Sequence, residues 1–365
     1  MSSAGAPSRT LLLRTLRDPA SLRGLSLREW DDLLPAAADA GVLSSIAHGA
    51  KEQLLFEGIP AEVRPHLESA HVLAERQRAQ VEWEIDRIEH ATCEIAGPLV
   101  LLKGAAYHAR ALSTAAGRLT SDIDLLVPRD RLGAVERALL DNGWEVAPID
   151  ARDQAYFRRW LHELPPLRHR RRRTVLDVHH TILPPTDRLE VDPSLLLEAS
   201  EPLPGRRLRV LAPADMFLHS AAHLFRNGAW GHAVRDLMDM NAMATQFGGD
   251  PGFWEELPRR AAQLDLRIPC GAALRTLTRV LNTPVPPPLL ERASMWRQAW
   301  PIGACFDALV DRALLPRGLD RRDARCERAR ALLAYWPVPR LRAMATPLFW
   351  TKRLPGGRGR GEGEF

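Results

Sequence analysis

Lysine is almost missing from this 365-residue chain: it stands only at Lys51, Lys103 and Lys352, so arginine carries nearly all of the positive charge behind the net +5. So one-sided a choice of cation follows coding bias as readily as chemistry, and the charge balance alone names no polyanionic partner. Cysteine is scarce too. Cys93, Cys270, Cys305 and Cys326 lie far apart with no C-x-x-C pair, which supports neither a zinc site nor a disulfide framework and leaves four small hydrophobes for the interior. Long apolar runs are absent: none approaches the roughly 20 residues that a bilayer-spanning helix requires, and Leu11-Leu12-Leu13 is too short for a signal-peptide core. A cytoplasmic protein with no targeting segment and no membrane partner is expected. The remainder, 45% apolar and 26% charged, is the composition of ordinary globular proteins, and the length predicts two or three domains.

One stretch concentrates the chemistry, PLVLLKGAAYHARALSTAAGRLTSDIDLLVP from Pro98 to Pro128. Leu99 to Leu102 reads as a short apolar strand running into Lys103 and Gly104, with a helix-length segment behind it. A strand feeding a glycine that opens a helix leaves backbone N–H groups unpaired at the helix N-terminus, where phosphate oxygens can bind. Gly117 and Arg118 then lead to Asp122-Ile123-Asp124, the start of a second apolar run. Carboxylates at i and i+2 of a strand project from one face. Hard, oxygen-seeking cations such as Mg²⁺ require that arrangement when they also hold a nucleotide's phosphates. Lys103, a lysine in a chain that otherwise uses arginine, is a compact ammonium suited to a phosphate or to the acidic cluster, or it fell there by chance.

Farther on, Val175 to Ile182 reads as a strand with Asp177, His179 and Thr181 on one face and Leu176, Val178 and His180 on the other. Asp177 then either joins Asp122 and Asp124 as a third carboxylate or sits at a sheet edge.

These residues resemble the nucleotidyltransferase superfamily to which DNA polymerase β belongs. There a strand-glycine-helix element precedes a D-x-D strand, and a later strand supplies a third acid; Gly104, Asp122, Asp124 and Asp177 match those places. The wording LLKGAAY…GRLTSDIDLLV is similar to a bacterial branch of uncharacterised nucleotidyltransferases, and to abortive-infection toxins that carry K-G…R-x-S-x-D-I-D-L. Ala105 departs from the usual second Gly or Ser and offers the phosphates no hydroxyl. The Gly104-to-Asp122 spacing exceeds that of polymerase-like members but suits the bacterial branch. The resemblance extends over residues 97 to 183.

The resemblance implies a Mg²⁺-dependent enzyme that moves NMP from an NTP to a hydroxyl acceptor and releases pyrophosphate. Asp122, Asp124 and Asp177 are its implied two-metal site, and Lys103, Gly104, Arg118 and Ser121 its implied nucleotide-binding residues. The D-x-H phrase of the bacterial branch points to His179, which would hydrogen-bond an acidic ligand, help deprotonate the acceptor, or simply pack; His180 reads as structural. Two readings of Arg118 stay open: phosphate neutralisation or bracing of the aspartates, and a purely structural salt bridge. A small molecule, such as a sugar or natural-product intermediate, is the first choice of acceptor. A toxin-like transferase acting on tRNA and a catalytically weak nucleotide-binding partner protein are the alternatives.

The expected fold is α+β: a small mixed-sheet nucleotidyltransferase core at 97–183, between an N-terminal helical region at 1–96 and a C-terminal helical domain at 213–352. A proline-rich connection at 184–212 and a disordered glycine-rich tail at 353–365 complete the division. Residues 1–9 should fray. Leu67, Ala70, Leu73, Val81, Ile85, Ile88 and Ala91 mark a long amphipathic helix whose alternating Glu and Arg form a solvated face. Arg158, Arg159, Arg168 and Arg170 to Arg173 make the densest basic patch, suited to RNA or a triphosphate, or to a solvated hairpin loop. Two antiparallel helices with a break at Asn227-Gly228 carry His219, His223, His232, Asp236 and Asp239, more in the manner of a buried polar cluster than of a zinc site. The spacing of Arg226 and His232 also fits that of small helical ribonucleases, and the scattered tryptophans Trp254, Trp296, Trp300, Trp336 and Trp350 read as core.

Overall fold

Four helices open the chain: α1 (Gly5–Arg17), α2 (Leu27–Asp39), α3 (Leu43–Glu52) and α4 (Arg64–Ala91). The computed structural model describes residues 5–226, 230–296, 302–314 and 324–335. α1 takes in residues 5–9, which composition alone suggested would fray. α2 starts where its sequence dictates, because the Ser26 side chain caps it and Glu29 reaches back to the Ser26 N–H. The buried stripe of α4 is Leu67, Ala70, Ala74, Val81, Glu84, Ile85 and Ile88. Ala74 continues the helical step from Ala70, so Leu73 falls off the stripe and is 53% exposed. Glu84 departs from the expected solvated face. It is buried because Arg172 Nε donates to it at 2.8 Å and Thr174 Oγ1 at 2.6 Å, which ties α4 to a hairpin of the sheet.

The core alternates as expected: β1 (Val100–Leu102), α5 (Lys103–Ala109), β2 (Asp122–Leu126), α6 (Leu132–Asp141) and β3 (Trp144–Val146). Then come α7 (Ala151–Trp160), β4 (Leu167–His169), β5 (Val175–His179), α8 (Pro193–Ala199), β6 (Glu201–Pro202) and β7 (Arg209–Val210). The strands form one mixed sheet ordered β3-β4-β5-β2-β1-β7-β6. β2 is parallel to β5 and antiparallel to β1, while β7 lies parallel to β1 on its other side. The 184–212 stretch therefore does more than connect: it carries α8 and the hairpin that extends the sheet past β1. β5 ends at His179, short of Ile182, although Ile182 is buried. Val100, Leu101 and Leu102 are all buried, the mark of a strand covered on both faces.

The C-terminal region is helical: α9 (Pro213–Arg226), α10 (Ala233–Phe247), α11 (Pro251–Gln263), α12 (Arg267–Leu281), α13 (Pro287–Met295), α14 (Ile302–Ala313) and α15 (Ala324–Tyr335). α9 is buried on nearly every side, since α10, α11 and α12 all pack on it. Its Ser220 hydroxyl lies 2.6 Å from the Tyr107 hydroxyl of α5, joining the helical region to the sheet. Trp254 is half-buried and donates to the Gly248 carbonyl at 3.0 Å, and Trp296 packs against the core. The Asn227-Gly228 break, Trp300, Trp336, Trp350 and the 353–365 tail lie outside the described residues. Cys270 and Cys326 are buried as expected, whereas Cys93 is half-buried and Cys305 exposed. No helix among the described residues is long and apolar enough to cross a membrane.

Candidate active site

The parallel pairing of β2 with β5 sets Asp124 directly opposite Asp177, with Asp122 two residues earlier on β2. Period-2 alternation then gives all three carboxylates one face of the sheet. The antiparallel pairing of β1 with β2 puts Leu102 opposite Asp124, so the next residue, Lys103, turns over the acids as α5 begins. Lys103 adopts φ +44°, a strained conformation for a residue with a side chain. That turn brings its ammonium to 2.7 Å from Asp124 Oδ1. His179 donates from Nε2 to the same oxygen at 2.9 Å.

The charges order themselves around Asp124. Burial alone would push its carboxyl up, but Lys103 and the His179 hydrogen bond hold it far below the usual carboxylate range. Burial would pull the Lys103 ammonium down, and Asp124, with Asp122 and Glu163, more than offsets it. His179 behaves likewise: burial lowers it, while the bond to Asp124 and the charge of Glu163 raise it on balance. Asp177 has no such cation of its own. Burial, with Asp124 and Glu163 as like-charged neighbours, pushes its carboxyl up to about 7.

A pH dependence follows from Asp177. The folded protein binds this proton more tightly than the unfolded chain, so the associated stability is present below 3.8 and is lost as pH rises through about 7. Metal-stripped protein is expected to lose stability across that window relative to Asp177→Asn, read by urea melts at successive pH values. Parallel curves for the two proteins would rule the coupling out.

Gly104 is buried, and packing requires it. A Cβ there would lie 2.4 Å from Arg118 Nη1 and 2.7 Å from Thr120 Oγ1, so the glycine admits two neighbouring side chains. Arg118 itself turns away from the aspartates. Its Nε donates to Asp239 of α10 at 2.8 Å and its Nη1 to Thr120 Oγ1 at 2.9 Å, the geometry of a structural ion pair. Ser121 is exposed and its hydroxyl donates to Asp122 at 3.1 Å. Beside Asp122 a cleft of about 220 Å³ opens between α4 and the β4–β5 hairpin, lined by Gln77, Gln80, Ser121, Arg173 and Thr174 among others.

Glu163 and His162 join the site without any advance signal in the sequence. They follow α7 in a stretch that reads as loop, yet Glu163 forms a β-bridge with His179 and brings Oε2 to 3.3 Å from His179 Nδ1. His219 and His223, one turn apart on α9, lie near enough to feel the Lys103 charge: burial and that charge push both down, His223 to about 3. Among the described residues the trio whose donor atoms converge is His162, Glu163 and His179, not the α9 pair. His232 stands just before α10 and abuts Gly41 of the N-terminal region, while Asp236 is buried beside Arg235. Arg226 is engaged by Asp187 at 2.5 Å, so the ribonuclease spacing corresponds to an ordinary ion pair here.

The model of a family of uncharacterised nucleotidyltransferases matches residues 26–282, more than half of the chain. The chain belongs to this family. The match runs from the Ser26 cap of α2 to Asn282 at the end of α12, so α2 to α4 and α9 to α12 are part of what defines this nucleotidyltransferase family, beyond the 97–183 motif region. No curated protein matches the chain.

Proposed function

We propose that this nucleotidyltransferase moves NMP from an NTP to a hydroxyl of a small molecule, with divalent metal held by Asp122, Asp124 and Asp177. The observation that carries the reading is the in-register Asp124–Asp177 pair with Asp122 on the same face. The donors are all oxygen, which suits Mg²⁺. Asp177 Oδ1 is buried without a hydrogen-bond partner, and its raised carboxyl marks a place short of positive charge. Bound there, Mg²⁺ would neutralise the triphosphate and ease deprotonation of the acceptor hydroxyl. Lys103 keeps Asp124 ionised and aimed, and His179 fixes the same carboxylate from the other side.

The basic patch keeps tRNA as the second reading of the acceptor. Arg158 is paired with Glu136 at 2.5 Å, Arg172 with Glu84 at 2.8 Å and Arg170 with Glu145 at 3.5 Å, whereas Arg159, Arg168, Arg171 and Arg173 form no ion pair among the described residues, so the patch keeps charge that a phosphate backbone could use. The test supplies each α-³²P-labelled NTP with Mg²⁺ and either a metabolite extract or total tRNA. Label is expected in the small-molecule fraction. Label in tRNA would replace the acceptor, and no transfer to either pool from folded protein would favour a nucleotide-binding partner protein.

A further inference from the structure

Beside the three aspartates lies a second set of donors of different chemistry. His162, Glu163 and His179 each offer one ligand atom within 4.8 Å of the others. Glu163 Oε2 is 3.3 Å from His179 Nδ1 and 3.9 Å from His162 Nε2. Backbone pairing holds the set in place: Leu164 N–H donates to the Val178 carbonyl at 2.8 Å and His180 N–H to the His162 carbonyl at 2.9 Å, so residues 162–164 are clamped along β5. His179 Nδ1 is buried with no hydrogen-bond partner, although Glu163 is close by, and the residue is only 3% exposed. An orphaned nitrogen in so dry a position is costly unless something it can bind fills the gap.

We infer that His162, Glu163 and His179 form a site for one borderline transition-metal cation of the Mn²⁺, Co²⁺ or Zn²⁺ class. Two imidazoles and one carboxylate prefer such ions over Mg²⁺, whose ligands are oxygens. His179 meets the further requirement of a metal-bound imidazole: its other nitrogen donates to a carboxylate, Asp124, at 2.9 Å, which fixes tautomer and ring orientation. Three protein ligands leave coordination positions open. The site thus couples through His179 to the carboxylate at the centre of the proposed nucleotidyl-transfer site, but its existence does not depend on that activity.

The test titrates the chelator-stripped full chain with CoCl₂, following visible absorption and stoichiometry by calorimetry. With the aspartates filled by a large excess of Mg²⁺, one equivalent of Co²⁺ is expected to bind and to stay bound. Glu163→Gln and His162→Gln are expected to weaken binding by about 10-fold or more, while Asp122→Asn changes it little. Absence of uptake overturns the site and leaves His179 as a proton-bearing imidazole between two carboxylates. Displacement by Mg²⁺, or loss of binding in Asp122→Asn but not in Glu163→Gln, overturns it too, because the metal would then sit on the aspartates. Should the variants fail to fold, X-ray absorption on the Co²⁺-loaded wild type decides: two imidazoles in the shell support the site and an all-oxygen shell refutes it. None of these readouts involves NTP turnover, so this proposal and the transferase reading fail separately.

Discussion

Asp124→Asn is expected to cut nucleotidyl transfer by about 10³-fold or more while leaving the chain folded. The substitution keeps the shape of the side chain and removes the charge on which two cations converge. Lys103 and His179 both contact Asp124 Oδ1, at 2.7 and 2.9 Å. Without the carboxylate, each cationic form loses its nearest counter-charge in a buried place, with only Glu163, and for Lys103 also Asp122, left to support it. An asparagine amide would either turn an N–H towards the ammonium and the imidazole or keep its oxygen there as an uncharged, weaker acceptor for both. The loss therefore falls on metal binding and on the orientation of the site together. A two-metal centre contributes several kcal/mol of transition-state stabilisation, and about 4 kcal/mol corresponds to a thousandfold in rate. Single-turnover assays with the NTP identified by the labelling experiment measure it, with circular dichroism to verify the fold. A variant within about tenfold of wild type would refute the aspartate metal site.

That prediction rests on residues legible in the sequence, and the reason is geometric. Asp122, Asp124 and Asp177 sit on strands, where period-2 alternation fixes the face of a side chain once the strand is recognised. The apolar frames LVLL, IDLLV and VLDV mark those strands and alternation gives the face along each, while the pairing of β5 with β2 was implied by the family resemblance and is seen in the structure. Glu163 is the opposite case. It reaches the site through one β-bridge to His179, a pairing between segments that no periodicity announces. Gly104 was legible as a special position but for another reason than the actual one. A sequence suggests that a glycine admits a close neighbour without telling whether that neighbour is a phosphate or, as here, Arg118 and Thr120. The partners of Glu84, Arg118 and Arg172 were hidden too, since each lies many residues away along the chain.

Arg118→Met is expected to destabilise the protein by about 3–5 kcal/mol, the usual cost of leaving one partner of a buried ion pair uncompensated. Arg118 is 6% exposed and Asp239 2%, so water cannot solvate the carboxylate left behind. Asp239 also accepts from Thr114 at 2.6 Å, and Arg118 stacks its guanidinium 5.4 Å from the centre of the Tyr107 ring, so the pair fastens the loop before β2 to α10 and α5. Burial already raises the Asp239 carboxyl despite the guanidinium beside it. Removing the guanidinium would raise it further, and the deficit should shrink as acid protonates the orphan. Replacing both partners with apolar residues, in Arg118→Met with Asp239→Leu, should recover part of the loss, because no buried charge then remains. Urea melts of the two single variants and the double variant, at neutral and acidic pH, give the comparison. Equal stability of Arg118→Met and wild type would mean that the pair is dispensable and that Arg118 is free to serve the phosphates, the alternative the sequence left open. A large loss with partial recovery in the double variant would establish that the loop before β2 is anchored through the helical region, and that α10 belongs to the same folded core as the sheet.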